Sequence, residues 1–327
     1  MPVLITGLTG FVGSHLAQYL LSCNQKVWGT YHSGNFQNLE SFRHQIRLLR
    51  CDLTDFRHIL DLLRKLKPEQ IYHLAATSSV GQSFSDPLGV YCVNFLGTLN
   101  LLEAVRQLNL AARVLVTGSS EMYGKVGPKN LPLRETQPLN PVSPYGVSKA
   151  ACDMLAYQYF LNYGLETIRV RAFNHIGPRQ TLGFVIPDFV SQVAKIQLRM
   201  QEPVLTVGNL AVKRDFSDVR DIVRGYYLLM QKGNPGEAYN LASGKVFSLR
   251  EILGILCQLT ASKIKLKIRF SKMRVTDIPV LVGDSSKARR LTGWRPQIPI
   301  RTTLADTLEY WVNRISSSPV SKREASR

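Results

Sequence analysis

The N-terminal segment of this 327-residue chain is the feature that most restricts how it can fold. An apolar, strand-like run over residues 3–6 leads directly into a turn containing Gly7, Gly10 and Gly13, and a helical segment follows. Glycine lets the backbone bend tightly, and the free N–H groups of a helix N-terminus attract phosphates. The spacing is G-x-x-G-x-x-G rather than G-x-G-x-x-G, but the strand-turn-helix context predicts a dinucleotide-binding unit.

The first half of the chain continues as alternating strand-like and helical segments. Further strands are predicted at 27–31, 46–50, 70–74, 113–117 and 166–170, and helices at 12–23, 56–66, 90–108 and 148–163. This alternation predicts an α/β protein of the Rossmann type, with a doubly wound parallel sheet covered by helices on both faces.

After residue 171 the pattern loosens into proline-bearing loops and short elements. We expect an NAD(P)-binding Rossmann domain over 1–171 and a smaller C-terminal α/β substrate lobe built from 172–215 and 242–315. Residues 216–241 are predicted to return to the large sheet, with a helix at 218–231 and a strand at 238–241. A final amphipathic helix is predicted at 302–315, and the polar residues 316–327 predict a flexible tail.

Positive charge is the unusual feature of the composition. The chain has 41 Lys and Arg against 23 Asp and Glu, a net charge of +18, which attracts anions from nucleic acids to phosphorylated small molecules. Residues 263–270 alternate basic and apolar, which we interpret as a strand with one buried and one solvated basic face. A nucleic-acid groove is the alternative, but the apolar members are mostly aliphatic rather than base-stacking aromatics. We therefore expect no nucleic-acid partner.

Cysteine usage and hydropathy bear on the compartment. The five cysteines are scattered and form no C-x-x-C pair, so the sequence predicts neither a metal site nor a disulfide framework. No apolar run approaches the ~20 residues of a membrane span, and the N-terminus lacks the basic segment of a signal peptide. We expect a cytoplasmic protein with reduced thiols and no membrane partner.

The end of the second predicted strand should face the adenosine ribose of a dinucleotide. An acidic residue there would favour NAD, but residues 29–33 contain none. Both NAD(H) and NADP(H) stay open as cofactors, with NADPH slightly favoured. His32 or Arg43 could neutralise a 2′-phosphate, although both could equally be ordinary surface residues.

Two side chains one helical turn apart supply candidate chemistry. Tyr145 and Lys149 share a face of the predicted helix, and we expect the Lys149 ammonium to lower the pKa of Tyr145 from its usual value of ~10. Ser119 follows a predicted strand at the sheet edge where such folds bind ligands, and it can donate a hydrogen bond to a substrate oxygen. Glu121 is a second acid-base candidate. A polar loop with a helix cap is the alternative interpretation.

Together with Asp52-Leu53 and His73-Leu74-Ala75-Ala76, this set resembles the extended short-chain dehydrogenase/reductase superfamily over nearly the whole chain. The resemblance implies an NAD(P)-dependent oxidoreductase. It also implies a homodimer joined through the helices at 90–108 and 148–163, although their apolar faces could equally be core. The implied catalytic residues are Ser119, Tyr145, Lys149 and Glu121. The implied cofactor-binding residues are Gly7, Gly10, Phe11, Val12, Gly13, His32, Asp52, Leu53, Ala75, Ala76, Tyr145 and Lys149.

Three blocks in the second half, residues 171–178, 207–210 and 214–221, narrow the resemblance. They resemble the GDP-4-keto-6-deoxy-D-mannose reductases and, less closely, the GDP-mannose 4,6-dehydratases. The implied substrate-binding residues are Ser120, Asn174, Arg179, Val207, Asn209, Arg214, Arg274 and Asp277. By the same likeness, Arg214 and Arg274 would bind the pyrophosphate, and 207–210 would lie near the guanine. Arg179 departs from the pattern, since glycine is common there, and Asp277 replaces an expected glutamate.

The resemblance implies reduction of the C4 keto group of GDP-4-keto-6-deoxy-D-mannose to GDP-D-rhamnose. One alternative is a GDP-mannose 4,6-dehydratase, in which Glu121 would remove the C5 proton. Against it, Ile176-Gly177 and Phe216 depart from the dehydratase pattern. Another nucleotide-sugar epimerase is a second alternative, and a non-catalytic sensor or RNA-binding protein is a third. The intact set of Ser119, Tyr145 and Lys149 argues against the third.

Overall fold

A computed structural model describes residues 2–32, 34–260, 264–268 and 278–317. Its main layer is a parallel sheet. The strands of this sheet are β1 (Val3–Thr6), β2 (Val27–Tyr31), β3 (Arg47–Arg50), β4 (Gln70–His73), β5 (Arg113–Ser119), β6 (Thr167–Ala172) and β10 (Ala238–Leu241). Among the described residues their order is β10-β6-β5-β4-β1-β2-β3, and every pairing is parallel. This confirms the predicted doubly wound α/β class.

Helices cover both faces of this sheet. They are α1 (Phe11–Ser22), α2 (Phe56–Leu66), α3 (Val80–Ser85), α4 (Pro87–Tyr91), α5 (Gly97–Gln107), α6 (Pro144–Tyr163) and α8 (Val219–Lys232). Successive residues of a strand point to opposite faces. Accordingly, Val3 and Ile5 pack with α1 and α8, while Leu4 packs with α2, α5 and α6. All four residues of β1 are buried and three of them are apolar, which is typical of a parallel strand covered on both faces.

The second lobe contains smaller sheets and their helices. These elements are β7 (Asn174–Ile176), α7 (Val185–Gln197), β8 (Val204–Val207), β9 (Lys213–Asp218), β11 (Val246–Ser248), α9 (Leu249–Thr260), β12 (Lys265–Ile268), β13 (Val280–Leu281), α10 (Ser286–Thr292) and α11 (Ile300–Ser316). In the described part of the chain, β9 pairs with β7, β11 and β13, and β12 pairs with β8. Buried side chains of α7, α9 and α11 form a separate core.

The chain returns to the large sheet after crossing the second lobe, as the sequence predicts. Strand β10 pairs with β6, and α8 packs against α1. One part of the predicted lobe lies elsewhere, because Ala288 and Trp294 are buried in the first core rather than in the second. The domain boundaries themselves stay a prediction.

Three local predictions are corrected by the structure. The helix predicted at 90–108 is interrupted by a π-helical turn, Cys92–Leu96. The alternating run at 263–270 does contain a strand, but all four residues of β12 are exposed, and among the described residues this strand pairs with β8 alone. The third correction concerns the expectation that no apolar run approaches the length of a membrane span. The helical stretch Pro87–Gln107 has 21 residues, and its mean hydropathy of 1.4 is high enough for a membrane-spanning helix. Half of this apolar stretch is buried within the protein, and a helix in the core of a globular protein can have the same length and hydropathy. The predicted tail beyond residue 317 lies outside the described residues.

Candidate active site

A cleft of about 1100 Å³ runs along the carboxyl edge of the large sheet and continues into the second lobe. Its first end is lined by residues at or just after the ends of β1, β2, β4 and β5, including Gly7, His32, Ala75 and Ser119. Its other end is lined by residues of the second lobe such as Asn209. One continuous cleft therefore connects the glycine turn with the Tyr-Lys pair and with the second lobe.

The glycine turn has the geometry that the sequence predicts. Gly7 has a φ of +69°, and a Cβ there would lie 2.8 Å from the Cα of Ala75. A Cβ on Gly13 would collide with the carbonyl oxygen of Gly7, so close packing of α1 on the turn requires glycine. Gly10, Phe11, Val12 and Gly13 line the cleft, which places the first turn of α1 against it. A helix N-terminus in this position fits the diphosphate of a dinucleotide.

The residues predicted for the adenosine end lie together at the rim of the cleft. His32 and Asp52 both line it, and their side chains are 3.8 Å apart. Hydrogen bonds from the Thr54 hydroxyl and backbone N–H lower the pKa of Asp52 and fix its carboxylate. Arg43 stacks 4.0 Å from the Phe36 ring and is not among the described residues that line the cleft. Leu53, Ala75 and Ala76 line the cleft as well.

The predicted catalytic side chains Ser119, Tyr145, Lys149 and Glu121 all line the same part of the cleft. The Ser119 side chain is a hydrogen-bond partner of Tyr145, and the charge of Glu121 acts on the same phenol. The Lys149 ammonium donates to the carbonyl oxygen of Thr117 at 2.9 Å. Helix α6 presents Tyr145 and Lys149 from its first two turns, and the Ser143 hydroxyl caps this helix by accepting from the Gly146 N–H at 3.1 Å.

The electrostatics of Tyr145 differ from the sequence expectation. Burial raises the pKa of Tyr145 to about 12, Ser119 lowers it as a hydrogen-bond partner, and Glu121 raises it further. Burial also lowers the pKa of Lys149. The prediction that Lys149 brings the pKa of Tyr145 below its usual value is wrong, because desolvation of the phenolate is the largest effect. Tyr145 therefore keeps its phenolic proton at neutral pH and can donate a hydrogen bond to a ligand in the cleft.

A buried polar network that the sequence analysis missed supports this arrangement. Asp153, on α6, accepts from Arg169 at 2.7 Å and from Arg171 at 2.9 Å. Arg171 also donates to the Tyr123 hydroxyl at 3.2 Å, and that hydroxyl donates to Asn240 Oδ1 at 2.7 Å. Tyr123 ends the 3-10 turn that starts directly after Ser119. The network thus connects the helix that carries Tyr145 with the turn that carries Glu121.

Asn94 is a second residue that sequence reasoning missed. Its Oδ1 accepts from the Thr77 N–H at 2.8 Å. Its Nδ2 donates to the Thr77 carbonyl oxygen at 3.1 Å and to Ser148 Oγ at 2.9 Å. Thr77 lines the cleft, and Ser148 precedes Lys149. Asn94 lies in the π-helical turn, which no spacing rule in the sequence predicts. Other lining residues outside the predicted set include Thr9, Tyr31, Ser78, Gln180, Asp188 and Tyr226.

The predicted substrate residues divide into those at the cleft and those elsewhere. Ser120, Asn174, Asn209 and Arg214 line it, and Arg214 is nearly buried, donating to the carbonyl oxygen of Ile278 at 2.7 Å. Val207 is instead a core residue, because β8 packs that side chain against α7 and α9.

Arg179 also lies away from the lining. Its backbone has a φ of +70°, its guanidinium donates to Gln18 at 2.8 Å, and it lies 5.5 Å from the Phe42 ring. These contacts direct the side chain toward α1 and not into the cleft. Arg274 and Asp277 lie outside the described residues.

Comparison with known proteins places this site in a family. The family model of GDP-mannose 4,6 dehydratase matches residues 4–307, nearly the whole chain. The chain belongs to this family. The chain is 33% identical over 311 residues to the GDP-6-deoxy-D-mannose reductase of Pseudomonas aeruginosa. The alignment covers 95% of this chain and 97% of the relative.

Two solved structures are similar over almost their full length. RMD from Pseudomonas aeruginosa complexed with NADPH has a TM-score of 0.83 at 32% identity, covering 96% of this chain and 100% of that one. DesIV, a dTDP-glucose 4,6-dehydratase from Streptomyces venezuelae with NAD and TYD bound, has a TM-score of 0.87 at 27% identity, covering 98% and 99%. The resemblance to the extended short-chain dehydrogenase/reductase superfamily is thereby confirmed.

Proposed function

We propose that the protein is an NAD(P)H-dependent oxidoreductase that reduces the C4 keto group of GDP-4-keto-6-deoxy-D-mannose to GDP-D-rhamnose. The observation that carries this proposal is that Tyr145, its hydrogen-bond partner Ser119 and Lys149 line one cleft together with the glycine turn. A carbonyl reduction needs a proton donor at the carbonyl oxygen. The 33% identity to a reductase over both full lengths supports the same choice.

The cofactor has a suitable place in the cleft. The glycine turn and the N-terminus of α1 would hold its diphosphate, Asp52 and Leu53 its adenine, and Lys149 its nicotinamide ribose. NADPH stays slightly favoured over NADH, because residues 27–32 carry no carboxylate at the end of β2. Structural neighbours contain either NADPH or NAD.

The chemistry requires little of the protein beyond positioned donors. The bound nicotinamide supplies the hydride that adds to the sugar C4. Tyr145 gives its phenolic proton to the oxygen that becomes the C4 hydroxyl, and Ser119 donates a hydrogen bond to that oxygen as negative charge develops. The Lys149 ammonium stabilises the tyrosinate that remains. Donors aligned on a developing oxyanion typically contribute several kcal/mol to catalysis. Asn174 and Arg214 would bind the sugar diphosphate.

Isotope transfer tests this proposal directly. Purified protein is given GDP-4-keto-6-deoxy-D-mannose and NADPH deuterated at the transferable position, and the product is examined by NMR. The proposal predicts one deuterium at C4 of the deoxyhexose. Protium at C4, or an unchanged keto-sugar with intact NADPH, would contradict it.

A GDP-mannose 4,6-dehydratase is the second candidate. Two observations favour it: the family model carries that name, and Glu121 lines the cleft close enough to Tyr145 to raise its pKa. This enzyme would convert GDP-mannose to its 4-keto-6-deoxy form without net consumption of coenzyme. Glu121→Gln would then abolish the conversion of GDP-mannose.

We also propose a homodimer in the cytoplasm. Helices α3, α4 and α6 pack together and expose large apolar side chains, of which Leu88 is 77% exposed and Leu161 60%. Pairing with a second copy would cover this face. Each of the five cysteines is a free thiol, as a reducing compartment favours. Light scattering should give twice the chain mass for the wild type and a smaller mass for Leu161→Arg.

A further inference from the structure

Asp188 is a carboxylate in the cleft to which neither the sequence analysis nor the proposed mechanism gives a role. It lies in the first turn of α7, is half-buried, and lines the cleft. Its Oδ1 accepts from the backbone N–H of Gly183 at 2.8 Å, which holds the side chain in place. Within the described ranges, no hydrogen bond or ion pair engages its Oδ2. Asp188 therefore presents a positioned carboxylate oxygen to the cleft, where an N–H group of a ligand can replace water as the donor.

The contacts of α7 place Asp188 at the far wall of the cleft. Gln192, one turn later on the same helix face, accepts from the Thr206 N–H of β8 at 3.0 Å. The short connection after α7 reverses the chain, so β8 runs back along the helix. From Gln192 back to Asp188 the helix rises ~6 Å, and from Thr206 forward to Gly208 the strand direction advances ~6.6 Å the same way. Asp188 therefore lies beside Gly208 and Asn209, which also line the cleft.

This wall is where the base of a nucleotide-sugar would lie, an assignment that rests on the proposed function. With the reacting sugar at Tyr145 and the diphosphate at Arg214, the nucleoside extends toward Gly208, Asn209 and Asp188. Anionic Asp188 is unsuited to a phosphate, because like charges repel. It is suited to a neutral group that presents N–H donors.

We propose that Asp188 selects guanine as the base of the substrate. Guanine presents its N1–H and its 2-amino group side by side, and a carboxylate can accept from both with its two oxygens, each of which has two lone pairs. Uracil and thymine place a single N–H between two carbonyl oxygens, which a carboxylate repels. Adenine places an acceptor nitrogen beside its amino group. Asp188 thus distinguishes guanine from the other common bases.

The variant Asp188→Asn tests this with little change in shape. The amide oxygen can still accept from the Gly183 N–H, while an NH₂ donor replaces the free acceptor. Binding of GDP, inosine diphosphate and xanthosine diphosphate is measured by calorimetry on the NADPH-loaded protein. Inosine lacks the 2-amino group, and xanthine replaces it with a carbonyl oxygen. Glu309→Gln, which removes an exposed carboxylate of α11, is the control for net charge.

We expect the wild type to bind GDP more tightly than inosine diphosphate. Asp188→Asn should weaken GDP binding by roughly 10- to 100-fold, as for loss of a bidentate base contact. It should also remove the difference between GDP and inosine diphosphate and improve binding of xanthosine diphosphate, whose C2 carbonyl can accept from the new amide. The dissociation constant for NADPH should not change, which excludes a general loss of fold.

The outcomes separate this inference from the proposed function. If Asp188→Asn binds all three nucleotides as the wild type does, the role of Asp188 is wrong, although the reductase assignment stands if the keto-sugar is still reduced. Equal loss of all three nucleotides, with no gain for xanthosine diphosphate, would also overturn base selection. A wild type that prefers UDP or dTDP to GDP contradicts both proposals.

Discussion

The same substitution, tyrosine to phenylalanine, should destabilise the protein at one buried position and not at another. The Tyr123 hydroxyl accepts from Arg171 at 3.2 Å and donates to Asn240 at 2.7 Å. Removing it leaves the buried Asn240 Oδ1 without that donor. An unsatisfied buried group costs about 1–3 kcal/mol. Tyr72 is also fully buried, but its hydroxyl has no hydrogen-bond partner among the described residues. Removing that hydroxyl removes a buried polar group whose loss of hydration is not offset by a hydrogen bond.

Urea unfolding of the two variants measures the difference. We expect Tyr123→Phe to lower the free energy of unfolding by about 1–3 kcal/mol and Tyr72→Phe to leave it unchanged or raise it by up to ~1 kcal/mol. Tyr123→Phe should also lower kcat more than it raises KM, because it loosens the turn after Ser119. Tyr72→Phe should leave both constants unchanged. Equal destabilisation by the two substitutions would refute the account of the network.

The remaining predictions concern catalysis, pH and the buried ion pairs. Tyr145→Phe should lower turnover by about 10²- to 10⁴-fold while the NADPH dissociation constant, measured by fluorescence, stays within twofold; near wild-type turnover would contradict the proton-donor role. Because the folded pKa of Tyr145 lies above that of an unfolded tyrosine, its contribution to stability is complete below pH ~10 and is lost as the pH rises toward about 12. The wild type should therefore lose stability relative to Tyr145→Phe in that range, and parallel unfolding curves would argue against it. Asp153→Asn should destabilise by about 3–5 kcal/mol in urea, because Arg169 and Arg171 lose their buried counter-charge; a loss below ~1 kcal/mol would show that the arginines find other partners.

Local patterns in the sequence were enough to predict the parts of the site that are local in the chain. The glycine turn follows from strand, turn and helix chemistry within a dozen residues. Tyr145 and Lys149 follow from helical periodicity, and the position of Ser119 follows from the end of a strand. Each of these lines the cleft, while their roles stay predictions.

The parts that failed depend on contacts between distant segments. Arg179 was assigned to the substrate, but Gln18 and Phe42, more than a hundred residues away, draw it toward α1. Val207 was assigned to the base, but it faces the core of the second lobe. The raised pKa of Tyr145 reflects how deeply the fold buries it, which no spacing reveals.

The polar supports were invisible for the same reason. The network of Asp153, Arg171 and Tyr123 joins three elements, and Asn94 depends on a π-helical turn. In both cases each residue is ordinary in its own segment. Only the packing of those segments brings the partners together.

The most direct test of the central claim is NADPH absorbance during incubation of the purified protein with GDP-4-keto-6-deoxy-D-mannose. The account predicts loss of one NADPH for each GDP-D-rhamnose formed, and a rate of loss about 10²- to 10⁴-fold lower with Tyr145→Phe. Stable NADPH absorbance, together with conversion of GDP-mannose to its 4-keto-6-deoxy form in a parallel reaction, would contradict it and identify a dehydratase.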